Sequence, residues 1–90
     1  MEFDWDDPND REGNLWHILS QHPEMKTSRF IEEVFNTPSG DEVFYADTRG
    51  HKSFTVVEKT FRRRLYRIVF QNEGGHVQIT TAFPISRRRR

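Results

Sequence analysis

The chain has 90 residues, no cysteine and a formal net charge of zero, the size of one small domain. Without cysteine, a disulfide framework and a thiolate metal site are both excluded. The first seven residues, MEFDWDD, are acidic where a signal peptide is positive, and no apolar run approaches membrane-spanning length. We therefore predict a single domain over residues 1–90, cytoplasmic and without membrane contact.

The zero total conceals a strong asymmetry along the chain. Residues 1–12 carry six acids and one arginine, whereas residues 59–90 carry nine Lys and Arg against one acid, Glu73. Because binding responds to the local patch, a polyanionic partner is compatible with zero net charge. The alternative is that the acidic N-terminus folds onto the basic C-terminus and partly cancels it.

The first half of the chain predicts a short strand and two helices. Alternation over residues 2–6 indicates a strand at a sheet edge. Asp7 is the expected N-cap of a first helix that ends near Gln21, because the residue before a proline avoids the helical region. Thr27 or Ser28 is expected to cap the second helix. Its apolar face consists of Phe30, Ile31, Val34 and Phe35.

The second half predicts four strands, and the last two form a hairpin. The strands are expected at Glu42–Ala46, Phe54–Glu58, Leu65–Gln71 and Val77–Phe83, with a loop over 47–52. Gly74-Gly75 marks the hairpin turn. Alternation places Thr81 and Phe83 on the same face as Val77 and Ile79. The fold class is α+β, with two N-terminal helices packed on a mostly antiparallel sheet of four to five strands. The expected core is Trp5, Leu15, Ile18, Phe30, Val34, Ile68, Phe70, Val77 and Ile79.

The motifs for metal and nucleotide cofactors are missing. His17 and His22 are five residues apart, whereas zinc-binding helices use spacings of three or four. No glycine-rich phosphate loop and no GxSxG nucleophile motif occurs. The sequence predicts no metal site and no cofactor.

The arginines carry the sharper signal. Arg62, Arg63, Arg64 and Arg67 lie where the first hairpin strand starts, and residues 87–90 are four more arginines after the second strand. Antiparallel pairing would bring both groups to one end of the sheet, where guanidinium groups hold phosphate oxygens. Such cations stabilise the phosphorane of RNA cleavage by internal 2′-hydroxyl attack, which also needs proton transfer. The candidate proton-transfer groups are Glu73 and the four histidines, among them His17, His22 and His76.

Six segments, in order over nearly the whole chain, resemble motifs of the BrnT family of bacterial toxins. The segments are FDWDDPN at 3–9, NLWHILSQH at 14–22, TSRFIEEVF at 27–35, RLYRIVF at 64–70, VQITTA at 77–82 and SRR at 86–88. They are similar to F-x-W-D-P-N, N-x-x-H-[IL]…H, T-x-x-E-x-E-E-[VA]-F, G-R-x-L-x-V-V-F, I-R-[IV]-I-[ST]-A and [ST]-R-R-E. The resemblance implies a RelE-like ribonuclease fold.

By position, the resemblance makes Arg64, Arg87, Arg88 and one of His17 or His22 the catalytic candidates, with Glu73 as a further proton-transfer group. RNA contacts are expected from Arg62, Arg63, Arg67, His76 and Arg89. The chain departs from the family pattern at three positions. Gln78 and Phe83 stand where the family has arginine, and Arg89 stands where it has an acid.

The leading hypothesis is the toxin of a type II toxin–antitoxin pair, a metal-independent endoribonuclease that inhibits translation. The resemblance implies a homodimer and a ribbon–helix–helix antitoxin of the BrnA kind. The second hypothesis is a RelE-like fold with weakened catalysis that binds RNA or protein. The third is a structural domain whose arginines pair only with Asp4, Asp6, Asp7 and Asp10.

Overall fold

A computed structural model describes residues 2–38, 43–49 and 52–85, with the backbone alone for 43–49 and 52–53. It confirms the α+β class. The elements are β1 (Glu2–Phe3), α1 (Asn14–Gln21), a short 3-10 helix (Pro23–Met25), α2 (Ser28–Asn36), β2 (Val43–Arg49), β3 (Lys52–Phe61), β4 (Arg64–Glu73) and β5 (His76–Ile85).

The five strands form one mixed sheet in the order β1-β5-β4-β3-β2. β1 runs parallel to β5 at the sheet edge, and the other neighbours are antiparallel. The predicted pairing of residues 65–71 with 77–83 is confirmed. The loop predicted over 47–52 was too long, because β2 reaches Arg49 and β3 begins at Lys52. Of that loop, Gly50 and His51 lie outside the described residues.

An irregularity in β5 changes which side chains enter the core. Phe70 pairs with Ile79, but Val69 pairs with Thr81, so one extra residue stands in β5 between them. An extra residue of this kind shifts the alternation of a strand by one. The prediction that Thr81 and Phe83 share a face with Ile79 is therefore wrong, and Ala82 is the residue that is fully buried.

The first helix begins later than predicted. Asp7 accepts a hydrogen bond from the amide of Asn9 within a turn, and α1 starts after Gly13. The carboxylate of Asp6 accepts hydrogen bonds from the first two helical amides, those of Asn14 at 2.8 Å and Leu15 at 3.2 Å. A Cβ at Gly13 would lie 2.7 Å from that carboxylate, so glycine leaves room for it. The cap is thus supplied from outside the helix, and the Asp7 prediction is wrong.

The predicted ends around residues 21–27 agree with the structure. α1 ends at Gln21, and the His22 amide closes it by donating to the Ile18 carbonyl. Thr27 is the cap of α2, since its Oγ1 accepts from the amide of Phe30 at 3.1 Å. Ser28, the alternative, is the first helical residue.

One buried cluster joins residues of both helices to the sheet. Leu15 and Ile18 from α1 and Ile31 and Val34 from α2 belong to the same cluster as the fully buried Ile68 of β4. All predicted core residues are buried except Trp5 and Phe30, which are partly buried against the cluster. Trp5 keeps its ring near the surface because Nε1 donates to Glu32 Oε2 at 2.6 Å. Within the described ranges, no helix has the length and hydropathy needed to cross a membrane.

Candidate nucleic-acid interface

Three exposed arginines lie at one end of the sheet, where β3 connects to β4. Arg64 pairs with Phe61, which leaves Arg62 and Arg63 as a two-residue turn between β3 and β4. All three side chains are exposed. We call Arg62, Arg63 and Arg64 the basic tip. The sequence placed these arginines at the start of a strand, but only Arg64 belongs to one.

The turn of the basic tip has an unfavourable backbone for its residues. Arg62 and Arg63 have φ of 52° and 67°. Two-residue hairpin turns with positive φ at both positions favour Asn-Gly or Gly-Gly. A residue with a Cβ loses about 1–2 kcal/mol in the left-handed region. The turn therefore has arginine at two positions where glycine or asparagine would give a more stable turn. Backbone strain of this kind is often found at functional positions.

Aromatic rings lie beneath and beside the tip. The Arg62 guanidinium carbon is 4.9 Å from the ring centroid of Phe61. The Phe61 and Phe30 rings meet edge to face at 5.6 Å. Lys26 Nζ is 4.9 Å from the Phe30 ring centroid. Each ring of the pair thus contacts one cation, and Lys26 belongs to the connection before α2.

Lys26 is a second strained basic residue, and sequence reasoning missed it. Its φ and ψ are 67° and −70°, and the Thr27 amide donates to the Met25 carbonyl across it at 2.7 Å. This is a γ-turn of the rare kind, which costs on the order of 1–3 kcal/mol. An exposed cation–ring contact returns only about 0.5–1 kcal/mol. The contact with Phe30 alone does not explain the backbone.

The acidic N-terminus lies at the other end of the sheet. β1 pairs with His76 and Val77 beside the Gly74-Gly75 turn. β4 separates that turn from the basic tip by its ten residues, about 30 Å at a rise of ~3.3 Å per residue. The expectation that the acidic segment neutralises the arginines is not met for the basic tip.

The aspartates of the N-terminal segment have other partners. Asp4 Oδ1 is 3.5 Å from His76 Nδ1, and Asp6 caps α1. Asp7 and Asp10 accept hydrogen bonds from nearby amides in turns. Over residues 2–38, 43–49 and 52–85, none of these four aspartates forms an ion pair with an arginine. This contradicts the hypothesis of arginines held only by aspartates, as far as Arg62, Arg63, Arg64 and Arg67 are concerned.

Glu73 and His76 are remote from the basic tip. They face each other across the β4–β5 turn and are both exposed. With Asp4, Gln71 and Gln78 they line a shallow cleft of about 240 Å³. Since Arg64 begins β4 and Glu73 ends it, the predicted sharing of one site by these two residues is wrong. We call this region the acidic end, defined by Asp4, Glu73 and His76.

The histidines divide between the two halves of the sheet. The half-buried His22 stacks on Phe83, with ring centroids 5.2 Å apart and planes at 28°. Phe83 pairs with Arg67, three residues along β4 from Arg64, about 10 Å by the strand rise. His17 is exposed and contacts Trp16 instead. Of the two helix histidines, His22 lies nearer the tip.

Among the described arginines of the predicted set, Arg67 is the one that has an acidic partner. Its Nη2 and Nε donate to Glu58 Oε2 at 2.6 and 3.1 Å. The side chains are 36% and 19% exposed, for Arg67 and Glu58 respectively. An anion that contacts Arg67 would therefore compete with this ion pair, whereas Arg62, Arg63 and Arg64 form no such pair within the described residues.

The remaining predicted site residues, Arg87, Arg88 and Arg89, lie outside the described residues. The last described pair of the hairpin is Leu65 with Ile85, adjacent to Arg64. The prediction that Arg64 meets Arg87 or Arg88 therefore stays a prediction.

The basic tip presents guanidinium groups, whose geometry and charge match those of phosphate oxygens, and the His22 ring stacks on Phe83 in the same half of the sheet. In the described part of the chain, no group of three or more His, Asp or Glu is arranged to hold a metal ion. Comparisons with protein-family models, curated proteins and solved structures find no match. A functional interpretation therefore depends on the arrangement of the residues themselves.

Proposed function

We propose that the protein binds RNA through the basic tip and acts as a toxin-type endoribonuclease. The observation that carries the proposal is the conformation of Arg62 and Arg63, which are exposed at positive φ. A purely structural turn would be more stable with glycine or asparagine at both positions. Arginine there is explained by a use for its side chain, and guanidinium groups match phosphate oxygens in geometry and charge.

The electrostatic surroundings support binding at this end. In the described chain, no acid forms an ion pair with Arg62, Arg63 or Arg64, and Glu73 lies at the opposite end of β4. The local field of the tip is therefore positive although the total charge is zero. Phosphate contacts of this kind release counterions and become weaker as salt rises.

Cleavage requires groups beyond a phosphate grip. Internal attack by the 2′-hydroxyl needs cations around the pentavalent phosphorane, worth ~3 kcal/mol for a well-placed donor by analogy with oxyanion holes. It also needs a proton acceptor, and we assign this role to His22 because Phe83 orients its ring on the tip half of the sheet. Arg64 is the phosphate-binding residue in this scheme, together with Arg87 and Arg88 by resemblance. Glu73 has no role in it.

The same proposal includes a RelE-like fold and a small antitoxin partner of the ribbon–helix–helix kind. Both depend on the resemblance of the six segments to the BrnT family. An antitoxin that binds the basic tip would block RNA access directly. Loss of RNA binding upon addition of a ribbon–helix–helix protein that binds this chain would support that part.

The test is incubation of the purified chain with end-labelled RNA in the presence of EDTA. We expect cleavage products in the wild type, and a loss of roughly 100-fold or more in rate for His22→Gln, the scale of one general acid–base group. His17→Gln is the matched control and should cleave normally. Salt-sensitive binding with intact RNA would instead select an RNA-binding module without catalysis. Absence of RNA binding would overturn both.

A further inference from the structure

Lys26 has a backbone conformation to which glycine is better suited than lysine. Met25 is fully buried and Thr27 caps α2, so both flanking positions are fixed by packing and hydrogen bonding. The residue between them takes a φ of 67° and a ψ of −70°. Glycine would accept this conformation without a Cβ conflict. A lysine at this position is therefore explained best by a use for its ammonium group.

The ammonium group lies on the same aromatic pair as the basic tip. Lys26 Nζ is 4.9 Å from the Phe30 centroid, and the Arg62 guanidinium carbon is 4.9 Å from the Phe61 centroid. The two rings are in contact at 5.6 Å. Lys26 and Arg62 are far apart in sequence, yet each contacts one ring of the same pair.

We infer that Lys26 and Arg62 form one phosphate-binding surface on the Phe30–Phe61 pair, so that an RNA strand contacts the segment before α2 as well as the basic tip. The inference rests on the proposed RNA binding. It adds a contact from a different part of the chain, the segment before α2. Both cations share an unfavourable positive φ, which is an independent observation from their charge.

The salt dependence of RNA binding distinguishes a direct contact between Lys26 and a phosphate from a general effect of charge. Removal of one phosphate contact lowers the log–log salt slope by about 0.7 on a single strand. Between 50 and 200 mM salt, wild type should thus lose about 2.5-fold more affinity than Lys26→Gln. Lys26→Arg should keep the wild-type slope. Arg11→Gln is the matched control, because Arg11 is exposed and lies 5.9 Å from the Trp16 centroid, but precedes α1 and does not contact the Phe30–Phe61 pair.

A second variant, Lys26→Gly, tests the strain directly. It removes the ammonium group and relieves the positive φ, so we expect a higher melting temperature together with weaker RNA binding. A gain in melting temperature together with a loss of RNA affinity distinguishes a lysine that binds RNA from one that stabilises the fold. A Lys26→Gln slope equal to wild type, with a reduced slope in Arg62→Gln, would overturn this inference while RNA binding stands. A flat salt dependence in the wild type would overturn the proposed function itself.

Discussion

Two hairpin turns of the sheet, one at each end of β4, have the same length and the same sign of φ but different residues. Gly74 and Gly75 have φ of 59° and 86°, and Arg62 and Arg63 have φ of 52° and 67°. Glycine adopts positive φ without steric cost, whereas arginine does not. The backbone geometry of the β4–β5 turn explains why it contains two glycines. The backbone geometry of the β3–β4 turn does not explain why it contains two arginines.

The surroundings of the two turns differ as well. The glycine turn is next to β1, so Glu73, His76 and Asp4 gather there. The arginine turn lies against rings of Phe30 and Phe61. Folding thus keeps the acidic N-terminal strand about one strand length away from the basic tip, and a chain of zero net charge presents a cationic end.

The first prediction separates strain from charge in the two turns. Gly74→Ala/Gly75→Ala should lower the free energy of unfolding by about 2 kcal/mol, because two Cβ atoms enter the left-handed region. Arg62→Ala/Arg63→Ala exchanges one strained pair for another and should leave stability within about 0.5 kcal/mol. Chemical denaturation of both variants measures the difference. Equal destabilisation would contradict the strain at the basic tip.

A smaller effect is expected at Arg67, whose guanidinium is engaged with Glu58. Because the pair is partly exposed, Arg67→Gln should cost no more than about 1 kcal/mol of stability. The salt slope of RNA binding should stay at the wild-type value, since Arg67 lies outside the basic tip. A drop of about 0.7 in the slope would show that Arg67 also contacts phosphate.

The sequence predicted those features that local patterns determine. Period-two alternation and Gly74-Gly75 specified the hairpin, and Thr27 specified the start of α2, because each depends on neighbouring residues. The start of α1 escaped prediction because Asp6 caps the helix from outside it. The bulge in β5 has no composition signal, since Thr80 and Thr81 are ordinary strand residues.

The candidate site was predictable only in part, for physical reasons that differ between residues. Arg62-Arg63 lacks the glycine or asparagine that identifies a two-residue turn, so the turn was read as a strand start. Lys26 lies in a γ-turn that depends on the burial of Met25, and no local sequence pattern predicts it. The prediction that Glu73 shares a site with Arg64 conflicts with the hairpin itself. A residue beside the Gly74-Gly75 turn lies at the end of β4 opposite Arg64.

We propose that Arg62 and Arg63 bind RNA phosphates and that their positive φ lowers the stability of the fold. The most direct measurement is made on Arg62→Gly/Arg63→Gly, which gives the tip the sequence of the other turn. We predict a gain of about 1 kcal/mol in the free energy of unfolding, or ~4–8 °C in melting temperature. In RNA titrations over a salt series, the log–log slope should fall by about 1.4, for two lost phosphate contacts. An unchanged slope, or a variant less stable than wild type, would contradict the account.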